Sequence, residues 1–177
     1  MKKILSGAFL CVCVCLCIMR VFTTAEAAEI DRSGTCGENL IWTQYDDGTL
    51  VISGTGLMSN YSVIPAPDSP WSMNSNIHTI KIEEGVISIG RCAFGWMFGL
   101  KKLYIPSSVT VIGSDAFNNS LMVDNIYYAG TPSDWNNIRI DSGNYVLYSA
   151  RMYYGVGDGA AEKNGACGPQ LRWNVPV

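Results

Sequence analysis

Two segments of this chain are written almost twice. GVISIGRCAF (residues 85–94) and SVTVIGSDAF (residues 108–117) carry Val, Ile-Gly and Ala-Phe at matching places, 23 residues apart. The offset extends beyond the pair: Ile77-x-x-Ile80-x-Ile82, Leu100-x-x-Leu103-x-Ile105 and Val123-x-x-Ile126-x-Tyr128 fall in the same register. A unit of this length has one apolar edge and cannot bury it alone, whereas stacked units share a continuous core. The repeat therefore predicts a mainly β solenoid with short helical turns. Ile89 is expected above Ile112 and Phe94 above Phe117, with Gly90 and Gly113 allowing the bend between strand and convex side.

The flanks read as caps. In NLIWTQYDDGTLVISG, the runs 40–45 and 49–53 flank Asp46-Asp47-Gly48, a strong hairpin turn signal. Residues 28–76 are read as this hairpin cap and a Pro- and Ser-rich loop, and 77–128 as the repeats. Residues 129–154 are read as a C-terminal cap. There Thr131 stands as N-cap before Pro132 and Asp134 of a short helix, with Trp135 and Ile138 on its buried face. YVLYSARMYYG (residues 145–155) is expected to add final strands, and 155–166, small and polar, reads as linker.

The first residues point to export. Lys2 and Lys3 precede an apolar run at 4–19, and Ala25-Glu26-Ala27 supplies a small-x-small site, so 1–27 is read as a signal peptide cut after Ala27. A retained anchor is the competing reading, but 16 apolar residues fall short of the roughly 20 a spanning helix needs. Without that segment the chain keeps 9 basic and 14 acidic residues. A net of −5 disfavours nucleic acid and polybasic adhesion to lipid. Three cysteines stay: Cys36, Cys92 and Cys167. Cys36 and Cys92 are left with two readings, a disulfide or separate thiols that fill space as small hydrophobes.

CGPQLRWNV, beginning at Cys167, matches CGENLIWTQ at Cys36: Cys, Leu and Trp recur at an offset of 131. Residues 167–177 are accordingly expected to be the truncated start of a second hairpin module. Chance similarity over nine residues is the alternative.

SGTCGENLIWTQYDDGTLVISGTGLM, IEEGVISIGRCAF, IPSSVTVIGSDAF and YYAGTPSDWNNI together resemble the bacterial BspA-like leucine-rich repeat proteins, over about residues 33–154. The resemblance implies a short leucine-rich-repeat solenoid of 23-residue period with an N-terminal hairpin cap and a C-terminal cap. It also implies a secreted or surface-held protein, where a role is assigned in attachment to host protein, matrix or other cells. The small number of repeats departs from the long arrays of relatives.

The x positions of the strand pattern point outward. They form two columns, Thr79, Lys102, Asn125 and Lys81, Tyr104, Tyr127, a mixture of cations and aromatics suited to a protein or glycan ligand. Ordinary solvated strand residues are the bland alternative. Trp42, Trp71, Trp96 and Trp135 read as packing anchors, Trp96 being the best exposed candidate. His78 is the single histidine and has no acid partner at a set spacing, so no triad is legible. Asp46 and Asp47 are explained by their turn. No metal ligands cluster, no cofactor is implied, and no membrane insertion is expected once the leader is removed. The chain is expected to be a non-catalytic binding module. A structural spacer or remnant of a tandem surface protein, and a small secreted hydrolase with an unrecognised site, are the alternatives.

Overall fold

A computed structural model describes residues 27–120 and 122–157. The proposed leader, except Ala27, and the proposed second module at 167–177 lie outside the described residues, as does the linker from residue 158.

The predicted hairpin forms: β2 (Leu40–Tyr45) and β3 (Thr49–Gly54) pair antiparallel, Trp42 facing Ile52. Gly48 turns the chain at φ +77°, while the Asp47 carboxylate accepts a hydrogen bond from Thr49 N–H at 2.9 Å. A strand that the sequence pattern does not announce, β1 (Ile30–Thr35), pairs antiparallel with β2 and closes that edge.

From β3 onward the sheet is parallel. A strand of two residues, β4 (Gly56–Leu57), precedes the repeats. The three strand patterns then become β5 (Thr79–Ile82), β7 (Lys102–Ile105) and β9 (Asn125–Tyr128). The duplicated stretches supply β6 (Val86–Ile89) and β8 (Val111–Ile112). After β9 come α1 (Pro132–Asn136), β10 (Arg139–Ile140), α2 (Val146–Ser149) and β11 (Arg151–Tyr154). The large sheet runs β1-β2-β3-β5-β7-β9-β11, and a second, parallel sheet runs β10-β8-β6-β4. Each coil thus contributes one strand to each sheet, and the molecule is a short solenoid of about four turns.

The apolar pattern packs as columns between the sheets. Ile80, Leu103 and Ile126 are fully buried one above another, and so are Ile89 and Ile112. Phe94 stacks on Phe117 at 5.5 Å, and the stack continues to Trp71, also 5.5 Å from Phe94. Trp71 stands 23 residues before Phe94. The residue that reads as the end of a proline-rich loop is therefore the first rung of this spine. Its indole N–H donates to the Ala93 carbonyl at 2.8 Å.

The turns on the convex side are bound to one another by backbone hydrogen bonds: Phe94 N–H to Ala116 O at 2.7 Å and Trp96 N–H to Asn118 O at 2.8 Å. Left-handed residues recur with the period, Met73, Trp96 and Asn119 in one series and Cys92 and Asp115 in another.

The C-terminal cap keeps the expected short helix but departs from expectation over residues 145–155. Thr131 and Asp134 form a reciprocal capping box on α1, and Trp135 and Ile138 are buried as expected. The stretch read as final strands instead begins with the helical turn α2, and its second half, β11, pairs with β9. Asn144 plugs the last coil. Its side chain accepts from Phe117 N–H at 3.1 Å and donates to the carbonyls of Gly113 and Asp141, each at 2.9 Å.

One clasp between coils titrates. The Glu84 carboxylate accepts hydrogen bonds from Ser107 N–H (2.8 Å), the Ser107 hydroxyl (2.9 Å) and Ser108 N–H (3.2 Å). Burial pushes this carboxyl up, but the hydrogen bonds outweigh burial and hold it below 4.5, its ordinary value. A depressed acid contributes stability that is fully present above its unfolded value and is lost as pH falls through the folded one. Glu84→Gln is therefore expected to be less stable than the parent at pH 7, the two converging below pH 4.5. Urea unfolding across that range checks this; a gap that persists unchanged at low pH would contradict it.

Candidate functional site

Strand register determines which side chains share the outer face of the large sheet. Thr79, Lys102 and Asn125 pair in one column, as the sequence pattern predicts, and Lys81, Tyr104 and Tyr127 in the other. The structure lengthens both. Thr49 precedes Thr79 and Arg151 follows Asn125, while Val51 precedes Lys81 and Tyr153 follows Tyr127. Through β2 and β1 the second column reaches Thr43 and Ser33, so it crosses all seven strands.

Its C-terminal half is a tyrosine ladder. The rings of Tyr104 and Tyr127 lie 4.5 Å apart at 13°, and those of Tyr127 and Tyr153 lie 5.0 Å apart at 15°. The Lys81 ammonium sits 5.7 Å from the Tyr104 ring centroid, on the side away from Tyr127. That distance is within the range of a cation–π contact. A parallel sheet spaces neighbouring strands about 4.8 Å apart, so identical aromatics in register stack without adjusting the backbone.

Burial corrects two of the predicted outward residues. Tyr104 is only 3 % exposed and Thr79 only 8 %. Tyr104 is enclosed between Lys81 and Tyr127, and Thr79 holds a 3.2 Å contact between its hydroxyl and His78 Nδ1. Lys81, Lys102, Asn125 and Tyr127 are half-buried, Tyr153 likewise, and Arg151 is exposed. Sequence reasoning missed Tyr153 because an offset of 23 from Tyr127 lands on Ala150, whereas β11 pairs at an offset of 26.

Residues 68–141 match the family model described as BspA type leucine-rich repeat region (6 copies). The chain carries a BspA-type leucine-rich repeat region. A crystal structure of a leucine-rich repeat protein from Eubacterium ventriosum is similar, with a TM-score of 0.52 and 26 % identity. The match covers 70 % of this chain and 31 % of that one, so the chain spans less than a third of that protein. No curated protein matches it.

The BspA-type repeat places the remaining candidates away from the ladder. Trp42, Trp71 and Trp135 are buried packing anchors, and Trp96 is half-buried on the convex side, edge-on to Phe98 at 5.9 Å. Cys36 and Cys92 are two buried free thiols, which corrects the disulfide reading. Burial pushes the Cys36 thiol up to about 11 and raises that of Cys92. Cys92 takes the left-handed position that Asp115 takes one coil later, at φ 55° in both. Cys167 lies outside the described residues. His78 is exposed just before β5, and its contact is with Thr79. Among the described residues no group of three or more His, Cys, Asp or Glu side chains is placed to hold a metal ion. Nor is any helix among them long and apolar enough to cross a membrane.

Proposed function

We propose that this chain is an exported, non-catalytic binding module that recognises a protein at a cell or host surface through the outer face of its large sheet. The observation that carries the reading is the ladder of Tyr104, Tyr127 and Tyr153 flanked by Lys81. Tyrosine in rigid array is a typical energetic anchor, because it presents a large area with few rotamers to lose. The scaffold supports the same reading, since the strands that hold the ladder are fixed on their inner side by fully buried Ile80, Leu103 and Ile126. Leucine-rich repeats generally act as protein-binding surfaces, and the leader at 1–27 supports export.

The test is interferometry of the secreted protein, whose N-terminus is expected at Ala28, against immobilised matrix proteins, mucin and a glycan panel. A Lys81→Ala/Tyr127→Ala/Tyr153→Ala variant runs beside it. Tyr104 is left in place because its burial makes truncation a folding lesion. A protein ligand should bind saturably and lose at least ~30-fold in affinity in the variant, the scale of one ~2 kcal/mol anchor. Tyr148→Ala, 72 % exposed on α2, should bind as the parent does. Binding that ignores the ladder variant, or a folded protein that binds nothing in the panel, would move the reading to a structural spacer.

A further inference from the structure

The ladder face has a chemical preference, and the inference here rests on the binding role proposed above. The outward positions of the five strands β3, β5, β7, β9 and β11 are Thr49, Val51, Ser53, Thr79, Lys81, Lys102, Tyr104, Asn125, Tyr127, Arg151 and Tyr153. Three of them are cations and none is a carboxylate. Residues 27–157 as a whole hold 7 basic and 12 acidic side chains, so the face is opposite in sign to the molecule that carries it. The carboxylates nearest to it along the chain, Asp47, Glu83 and Asp124, lie two residues before β3, just beyond the end of β5 and just before the start of β9.

The geometry of the tyrosines narrows the ligand further. A sugar stacks on the face of an aromatic ring. Here most faces are already used: Tyr127 lies between Tyr104 and Tyr153, and the remaining face of Tyr104 lies beneath the Lys81 ammonium, which leaves the outer face of Tyr153 on the edge strand β11. A ligand approaching from outside the sheet meets ring edges and phenol hydroxyls. Ring edges carry the positive part of the aromatic quadrupole, and phenol hydroxyls donate hydrogen bonds. Edges, hydroxyls and ammonium or guanidinium groups in one row all favour anionic oxygen. We propose that the ladder face takes an acidic, extended segment of a protein partner, with carboxylates directed to Lys81, Lys102 and Arg151 and the chain lying across the tyrosine edges. Its complementarity is electrostatic, so salt weakens it.

The experiment measures fluorescence anisotropy of the full chain with labelled twelve-residue peptides: one of Glu and Gly, one of Lys and Gly, one of Ser and Gly. Heparin serves as the anionic polysaccharide competitor. The Glu peptide should bind at least tenfold more tightly than the Ser peptide, and the Lys peptide should not bind. Affinity for the Glu peptide should fall steadily as NaCl rises from ~50 to ~500 mM. Lys81→Gln/Lys102→Gln/Arg151→Gln should lose at least tenfold, with a folded far-UV spectrum, and Lys101→Gln, exposed outside the strands, should not. Tyr127→Phe/Tyr153→Phe, which keeps the stack and removes two hydroxyls, should lose severalfold. Equal binding of the Glu and Ser peptides, salt-independent binding, full binding by the triple Gln variant, or tighter binding of heparin than of the Glu peptide would each overturn the proposal. A chain that binds no peptide yet captures a protein through the ladder loses this inference and keeps the binding role. One whose ladder variant changes no binding at all loses both.

Discussion

Phe94→Ala is expected to destabilise the protein by about 3–5 kcal/mol, the range for removing a large aromatic from a packed core. Phe94 is fully buried and is the middle rung of the Trp71–Phe94–Phe117 stack, 5.5 Å from both neighbours. Its loss opens a void that neither neighbour can collapse into. Trp71 is held by its hydrogen bond to the Ala93 carbonyl, and Phe117 by that from its N–H to Asn144. Set against the roughly 5–15 kcal/mol that keeps such domains folded, this is a large share. Thermal unfolding should move down by roughly 10–20 °C. Because a solenoid is coupled only between neighbouring units, the transition should also broaden. Phe98→Ala is the contrast. Phe98 is 50 % exposed and touches Trp96 edge-on, and its loss should cost under about 1 kcal/mol. A Phe94→Ala protein melting within ~3 °C of the parent would show that the stack does not couple the coils.

Gly90→Ala should cost about 3 kcal/mol, the upper part of the range for forcing extra atoms into a packed site. A Cβ at this position would be driven into the backbone carbonyl oxygen of Ser59 in the neighbouring coil. That coil cannot retreat freely. Tyr61 N–H donates to the Arg91 carbonyl at 2.8 Å, and Arg91 N–H donates to the Asn60 side chain at 2.8 Å. Ser59 N–H is itself bound to the Cys36 carbonyl at 2.7 Å. Gly113 repeats the arrangement one coil on, where a Cβ would lie 2.7 Å from Arg91 N. Neither glycine has positive φ, so what excludes a side chain is the close approach of coils rather than a left-handed bend. Gly95→Ala separates the two causes. Its Cβ would sit 3.4 Å from Asn118 O, an ordinary contact, and its φ is also not positive. It should change stability by less than about 1 kcal/mol. If urea unfolding finds the two alanine variants equally stable, the packing account fails.

How far the sequence reaches is visible in particular residues. The 23-residue offset identifies Ile80, Leu103 and Ile126 as one buried column and Phe94 and Phe117 as another, because a repeat can bury its apolar positions only by stacking them. The hairpin turn at Asp46-Asp47-Gly48 and the capping box of Thr131 and Asp134 are equally legible, since both depend on local backbone geometry. β1 is not. IDRSGT has no apolar alternation, and it becomes a strand because the free edge of β2 offers backbone partners. The site divides the same way. Lys81, Tyr104 and Tyr127 fall in one column by counting, but Tyr153 joins it only because the last coil is three residues longer than the period. No count along the chain foretells that Tyr104 is enclosed by its own stack. Periodic burial and turn chemistry are properties of short stretches, and so the sequence by itself determined the repeating coil, the hairpin turn and the start of α1. Which aromatics align, which glycines face a neighbouring carbonyl and which thiols stay apart depend on distances between coils, and those exist only once the coils are stacked.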